Sequence, residues 1–371
     1  MEKRVTVGEK LANVAADIGA VLQILIPGTS SATRNFRNSI QRFCENIHAR
    51  NLLLTGPIGI GKSTVARLVA LVRYLVCLRL EARRDFLKNV RFDGPLRISK
   101  QHLTWYEELN LTGLTESLAG TQLFGVASGA ATGVNARAGV FELAGNGHMP
   151  RGKDPTIGAA VTQGVVLLDE IGDLEAILQP KLLSVLTGTE VFRIGGEGHS
   201  EWAFSFHGVT IAATWRPVHG GNILRPDLMS RLTDYVIEIP SLDHRKEDLR
   251  EIAPLVMEDI RSRRQEENER LARINIVDRV GIASVQERAP LSEKDLAALG
   301  AIRWTECGEL RGLRQILQRV FDDGVSVSEA VAMQKSIAKT PAPSESSYFP
   351  AQNSGSAQSG FGGAGDTSEA G

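Results

Sequence analysis

Eight residues, Gly56-Pro57-Ile58-Gly59-Ile60-Gly61-Lys62-Ser63, constrain this chain more than any other stretch. They fit the pattern G-x-x-x-x-G-K-[ST]. In front of them stands Asn51-Leu52-Leu53-Leu54-Thr55, an apolar run that reads as a buried strand; behind them Thr64 to Ala70 reads as a helix. In that setting Gly56, Gly59 and Gly61 let the backbone turn tightly and aim amide N–H groups at phosphate oxygens. The start of the helix adds a field that favours negative charge. Lys62 would then reach the outer phosphates of ATP, the Ser63 hydroxyl would sit on Mg²⁺, and Thr64 would complete the cradle.

A second signal lies about a hundred residues on, in Gly164-Val165-Val166-Leu167-Leu168-Asp169-Glu170. Four apolar residues in a row suit a parallel strand buried on both faces, and sheets of that kind place their chemistry at the carboxyl ends of the strands. Asp169 would hold Mg²⁺ and Glu170 would position the attacking water. Alternating Val209, Ile211 and Ala213 predict another strand, ending at Thr214 where it could meet the γ-phosphate. Arg225 and Arg231 lie six apart around Asp227. That spacing puts them on no common helical face, so by itself it reads as solvated surface charge.

Composition narrows the setting. With 42 Lys+Arg against 43 Asp+Glu, the net charge of −1 argues against wholesale nucleic-acid binding, and no direct DNA-binding domain is evident. Cys44, Cys77 and Cys307 are odd in number and far apart, which suggests neither a disulfide framework nor a zinc site and fits a reducing, cytoplasmic setting. The apolar stretch from Leu11 to Ile26 is interrupted by Asn13, Asp17 and Gln23, so it reads as an amphipathic helix rather than a secretory leader. Arg67, Arg73 and Arg79 make the helix after the glycine loop too polar to span a membrane.

Four segments emerge. Residues 1–27 form a short helical lead ending at Pro27-Gly28, and residues 28–241 hold the nucleotide-binding motifs. Residues 242–325 are helical and charged, and 326–371 read as a disordered tail, Pro-, Ser-, Gly- and Ala-rich from Thr340. Phe36, Ile40, Phe43 and Ile47 recur at helical spacing, as do Leu310, Leu313, Ile316, Leu317 and Val320. Residues 81–104 read as a connector with room for one short strand, and 145–163 as an exposed insertion rich in Gly and Pro.

Taken in order, these motifs resemble the AAA+ domain of sigma-54-dependent transcription activators, the bacterial enhancer-binding proteins, over about residues 25–322. The residues that carry the resemblance are Asn110 through Leu123-Phe124-Gly125, Gly129-Ala130-Ala131-Thr132-Gly133-Val134, Phe141-Glu142-Leu143-Ala144 and Leu168 through Leu174. Lys181-Leu182-Leu183, Arg193 through Gly196, Leu224 through Leu228 with Arg231-Leu232, and Gly308 through Leu313 continue it. The resemblance implies an α/β fold: a P-loop AAA+ core with a parallel sheet flanked by helices, spanning 28–241, and an α-helical lid over 242–325. It implies that Asn110 couples Glu170 to the γ-phosphate and that Thr214 belongs to the first sensor. Arg225 and Arg231 would be fingers reaching the next subunit's nucleotide, and Arg311 the second sensor on the lid. It further implies a homo-oligomeric ring, usually a hexamer, whose Gly129–Val134 loop presses on the sigma-54 RNA polymerase.

The chain departs from that family at four places. Ala131 stands where the family loop has an aromatic, Trp215 where the first sensor ends in Asn, and Ser63 where the family's phosphate loop has Glu. The flanks of the core show neither a receiver domain nor a helix-turn-helix. Three functions fit: an ATPase that activates sigma-54 polymerase, a family-derived ATPase that remodels a different dedicated partner, and an ATP-dependent scaffold.

Overall fold

The computed structural model describes residues 6–90, 92, 98, 103–130, 133, 135–146, 164–216, 224–273 and 290–339. The chain begins with α1 (Val7–Asn13), which carries a reciprocal Thr6–Glu9 capping box. Next come α2 (Ile18–Leu25), capped by Asp17, and α3 (Ser31–Glu45), capped by Ser30. Such side chains satisfy amides that a helix start leaves without partners. The strand β1 (Asn51–Thr55) then runs through the glycine loop into α4 (Lys62–Cys77), followed by α5 (Leu80–Asn89), β2 (Tyr106–Asn110), α6 (Glu116–Phe124) and α7 (Val140–Asn146). After β3 (Val165–Asp169) and α8 (Gln179–Thr187), a small antiparallel ribbon pairs β4 (Val191–Phe192) with β5 (Ala203–Phe204). The α/β part closes with β6 (Val209–Thr214), α9 (Pro226–Leu232) and β7 (Val236–Glu238).

Five strands form one sheet in the order β2-β3-β6-β1-β7, and every pairing is parallel. A parallel sheet is covered on both faces, which is why β6 is buried along its whole length and β1 and β3 at all but their last residue. One face packs on α1 to α4 through residues such as Leu22, Phe43, Leu52 and Val69. The other packs on α6 to α9 through Leu53, Phe124, Phe141, Leu168, Leu182 and Leu228. This is the α/β architecture that the motifs implied.

A third core belongs to the helical lid, built from α10 (Leu249–Arg273), α11 (Glu293–Gly300), α12 (Trp304–Cys307), α13 (Glu309–Asp322) and α14 (Val327–Lys339). Trp304 is fully buried at its centre.

Three local expectations need correction. The N-terminal lead is two helices rather than one, because Asp17 caps a new start, and both bury leucines in the main core. The connector at 81–104 contains α5, a charged helix that buries only Leu87. Residues 327–339, expected in a disordered tail, form α14, which packs Val327, Ala330 and Val331 into the lid. The tail from 340 onward and the insertion from 147 to 163 lie outside the described residues.

Candidate active site

Register places the site. Across the sheet, Thr55 of β1 pairs with Thr214 of β6, and Ala213 pairs with Asp169, the last residue of β3. Asp169 in turn pairs with Asn110, the last residue of β2. Four strand ends therefore form one edge, and the glycine loop leaves from that edge. Gly59 and Gly61 have φ of 83° and 96°, a left-handed backbone that favours glycine.

At this edge the Ser63 hydroxyl donates to Asp169 Oδ2 at 2.8 Å. The Lys62 Nζ lies 3.6 Å from Glu170 Oε1 and donates to the Gly56 carbonyl at 3.3 Å. Glu170 adopts φ 55°, ψ 53°, a left-handed conformation that costs a non-glycine residue about 1–2 kcal/mol. Burial raises the pKa of its carboxyl; Lys62 opposes the rise, Asp169 adds to it, and the Trp215 backbone N–H opposes it again.

A cavity of about 720 Å³ opens above these groups, lined by the loop, Asp169, Glu170, the lid residues Leu310 and Arg311, and an apolar end that includes Ile26, Pro27, Ile252 and Val256. The apolar end suits a flat base and the loop end suits phosphates. The residues fit ATP with magnesium: Ser63 Oγ and Asp169 Oδ2 are adjacent hard oxygen donors, and this metal takes its remaining ligands from phosphate and water.

The lid meets the loop through backbone. Arg311 donates its N–H to the Gly59 carbonyl at 3.1 Å, and a Cβ on Gly59 would fall 2.4 Å from the Gly308 oxygen. Behind that contact Glu309, fully buried, accepts from Ser241 Oγ at 2.6 Å and from the Leu242 N–H at 2.8 Å, pinning the lid to the end of the α/β part.

The expected residues thus divide into groups. Gly59, Gly61, Lys62, Ser63, Thr64, Asp169, Glu170 and Arg311 line one cavity. Gly56 supplies the carbonyl that Lys62 holds, and Thr214 is buried at the adjoining strand end. Asn110 lies at the same edge, but its Oδ1 accepts the Thr112 N–H at 2.8 Å while Glu170 faces Lys62. Arg225, at the N-cap of α9, and Arg231, in its last turn, are exposed and outside the lining of this cavity; Arg225 pairs with Asp227 at 2.7 Å. Of the loop at 129–134, only Gly129, Ala130 and Gly133 are described.

Sequence reasoning missed three contributors. Pro27, signalled only by a Pro-Gly break, closes the base end of the cavity. Asp248 binds the segment that follows Pro27: its carboxylate accepts from the N–H groups of Thr29 and Ser30 at 2.8 Å each and from the Ser30 and Thr33 hydroxyls at 2.6 Å each. Arg216, next to the strand end at Thr214, grips the turn after Glu170. Asp248 is hidden in the sequence among ordinary charged residues, and Arg216, between Trp215 and Pro217, belongs to no pattern that marks it.

Comparison with known proteins follows this geometry. Residues 155–238 match the family described as the Sigma-54 interaction domain. The chain is 31% identical over 199 residues to the DNA-binding transcriptional activator HyfR of Escherichia coli strain K12, covering 53% of this chain and 23% of that protein. It is 29% identical over 298 residues to the anaerobic nitric oxide reductase transcription regulator NorR of Vibrio vulnificus strain CMCP6, covering 79% and 44%. A third relative, the Nif-specific regulatory protein of Enterobacter agglomerans, is 31% identical over 163 residues, covering 44% and 28%. The chain spans less than half the length of these relatives. Among solved structures, NtrX from Brucella abortus in complex with ADP superposes with a TM-score of 0.55 at 22% identity, covering 86% of this chain and 57% of that one. The same protein in complex with ATP gives 0.52 at 22% identity, covering 79% and 51%. At that identity the likeness concerns the fold.

Proposed function

We propose that this chain, which carries the AAA+ domain of sigma-54-dependent activators, hydrolyses ATP with Mg²⁺ in a ring of its own copies and uses the energy to remodel sigma-54 RNA polymerase. The observation that carries the reading is the pair of contacts Ser63–Asp169 and Lys62–Glu170, set side by side in a cavity with an apolar end.

In this mechanism Lys62 leaves Glu170 for the β- and γ-phosphate oxygens when nucleotide enters. Glu170, released, accepts a hydrogen bond from the water aligned with the γ-phosphorus. Ser63 and Asp169 would hold the magnesium, whose positive charge would offset that of the phosphate oxygens. Thr214, at the strand end, would meet the γ-phosphate, and Asn110 would couple Glu170 to the state of that group. Arg225 and Arg231, exposed on α9, reach the nucleotide of the next subunit, where such a group is worth about 10³–10⁵ in rate. Arg311 reports occupancy to the lid through its contact with Gly59. The ring is a hexamer, its 129–134 loop meets the polymerase, and the protein works in the cytoplasm. No helix among the described residues is long and apolar enough to cross a membrane.

A second reading, remodelling of a different dedicated partner, is favoured by Ala131, which removes the aromatic that the family presents to sigma-54. Release of phosphate by the purified protein tests the shared core of both readings. Lys62→Ala should bring it to background, and turnover unchanged by that substitution would refute the assignment.

A further inference from the structure

Glu170 occupies a backbone conformation that its own side chain disfavours, so something must hold it there. The turn it opens runs to Asp173, whose N–H donates to the Glu170 carbonyl at 2.9 Å. Two neighbouring strand ends grip that turn. From beyond β6, Arg216 Nη1 donates to the Gly172 carbonyl at 3.0 Å, and Nη2 donates to Asp173 Oδ1 at 2.5 Å. From beyond β2, the Thr112 hydroxyl donates to the second Asp173 oxygen, Oδ2, at 3.2 Å.

Each gripping residue is itself fixed to its own strand end. The Arg216 N–H donates to Thr214 Oγ1 at 3.1 Å, and the guanidinium carbon lies 5.7 Å from the centroid of the Trp215 ring. Thr112 donates its N–H to Asn110 Oδ1 at 2.8 Å. The residue between, Gly172, leaves room for the arginine: a Cβ there would lie 3.1 Å from Arg216 Cδ and 3.4 Å from Nη1. The Trp215 backbone N–H, one residue before Arg216, favours the ionised form of the Glu170 carboxylate.

We propose that Arg216 is a positioning residue for hydrolysis: by clamping Gly172 and Asp173 to the end of β6, it locks the left-handed turn that aims the Glu170 carboxylate. The proposal rests on the reading of Glu170 as the group that orients the attacking water. Two charge-assisted bonds from one planar group fix direction as well as distance, which a single contact would not. Without them the turn relaxes toward a right-handed backbone and swings the carboxylate out of line. Bound nucleotide, held by the glycine loop and the lid, is left in place.

Steady-state phosphate release and binding of a non-hydrolysable ATP analogue, both measured on the full chain, test this. Arg216→Gln should lower kcat about 10- to 100-fold, the cost of misplacing a reacting group by about an ångström, with analogue affinity within about 2-fold of native. Arg216→Lys keeps the charge opposite Asp173 and loses the fork, so it should recover part of the rate. Gly172→Ala, which removes no polar group, should lower kcat in the same way by displacing the arginine. Glu170→Gln is the control: turnover surviving it would mean that the assignment of Glu170 is wrong, and this proposal with it. If Glu170→Gln is inactive while Arg216→Gln and Gly172→Ala both keep native kcat, the clamp alone is refuted. A parallel loss of affinity and kcat in both variants would equally overturn it, since that marks a general structural role.

Discussion

Lys62 Nζ lies 3.6 Å from Glu170 Oε1 and donates to the Gly56 carbonyl at 3.3 Å, so the cation proposed to meet phosphate rests on the carboxylate proposed to orient water. On the proposed function, substrate entry and activation of the base are one exchange of partners. The lysine cannot serve phosphate and hold Glu170 in the same geometry.

The acidity of Glu170 follows from that geometry. Burial holds its pKa above the ordinary carboxylate range, Lys62 counteracts this in part, Asp169 reinforces it, and the Trp215 N–H counteracts it. In the proposed mechanism the group works ionised, so kcat should fall as pH drops through its pKa. The acid limb of kcat at saturating ATP should lie above the ordinary carboxylate range near 4.3. Departure of Lys62 to phosphate should move it higher still. A limb at ordinary carboxylate pH would contradict this environment.

Arg225 is exposed, paired with Asp227, and absent from the lining of its own subunit's cavity. Arg225→Ala and Glu170→Gln proteins should each be nearly inactive. Mixed in equal amounts, they should regain turnover above either alone, because some interfaces then join an intact Glu170 to an intact Arg225. Mixing that restores nothing would remove the case for action between subunits.

Asp248 is fully buried, and two N–H groups and two hydroxyls of residues 29–33 converge on it. A Cβ on Gly28, at φ 135°, would fall 2.5 Å from its carboxyl carbon. Asp248→Ala leaves several buried donors without partners and should cost about 3 kcal/mol, read as a fall in thermal midpoint. Burial pushes the Asp248 pKa up, but the bonds from Ser30, Thr33 and Thr29 outweigh it and the net shift is downward. The stabilisation is therefore present above the unfolded value near 3.9 and is lost as pH falls through the lower folded value. A variant as stable as native would contradict the network.

The partner is tested at Ala131. The native chain, held with a transition-state analogue of ATP, should bind purified sigma-54. Ala131→Phe should bind about 10-fold more tightly, through the apolar area that an aromatic brings to a contact. Binding by Ala131→Phe alone would favour the dedicated-partner reading, and binding by neither would sink the polymerase contact.

What the sequence disclosed depended on burial. β1 and β3 are continuous apolar runs because a parallel sheet covers both their faces, and the glycine loop shows itself through its required backbone. The edge strands stayed hidden. β2 carries Glu107 and Glu108 between its two buried residues, with Glu108 bound by Arg67 at 2.6 Å, and β7 exposes two of its three residues. α14 escaped notice because part of its buried stripe is the small Ala330 and the polar Gln334, which weaken the apolar periodicity. Ile47 misled in the other direction: α3 stops at Glu45, leaving that side chain half exposed. Within the site, the cavity-lining residues of the glycine loop and of the β3 end were legible by motif. Asp248, Arg216 and Glu309 were not, because their role is to hold other residues and only the folded geometry supplies the partners.

On the proposed function, Glu170 acts on bound ATP in the hydrolytic step without helping to hold it. The most direct measurement pairs ATP affinity with phosphate release for Glu170→Gln against the native chain. Affinity close to native with turnover reduced at least about 100-fold is the predicted result, in line with removal of a group that acts mainly in the transition state. Turnover that survives the substitution, in a protein that still binds ATP, would contradict the account.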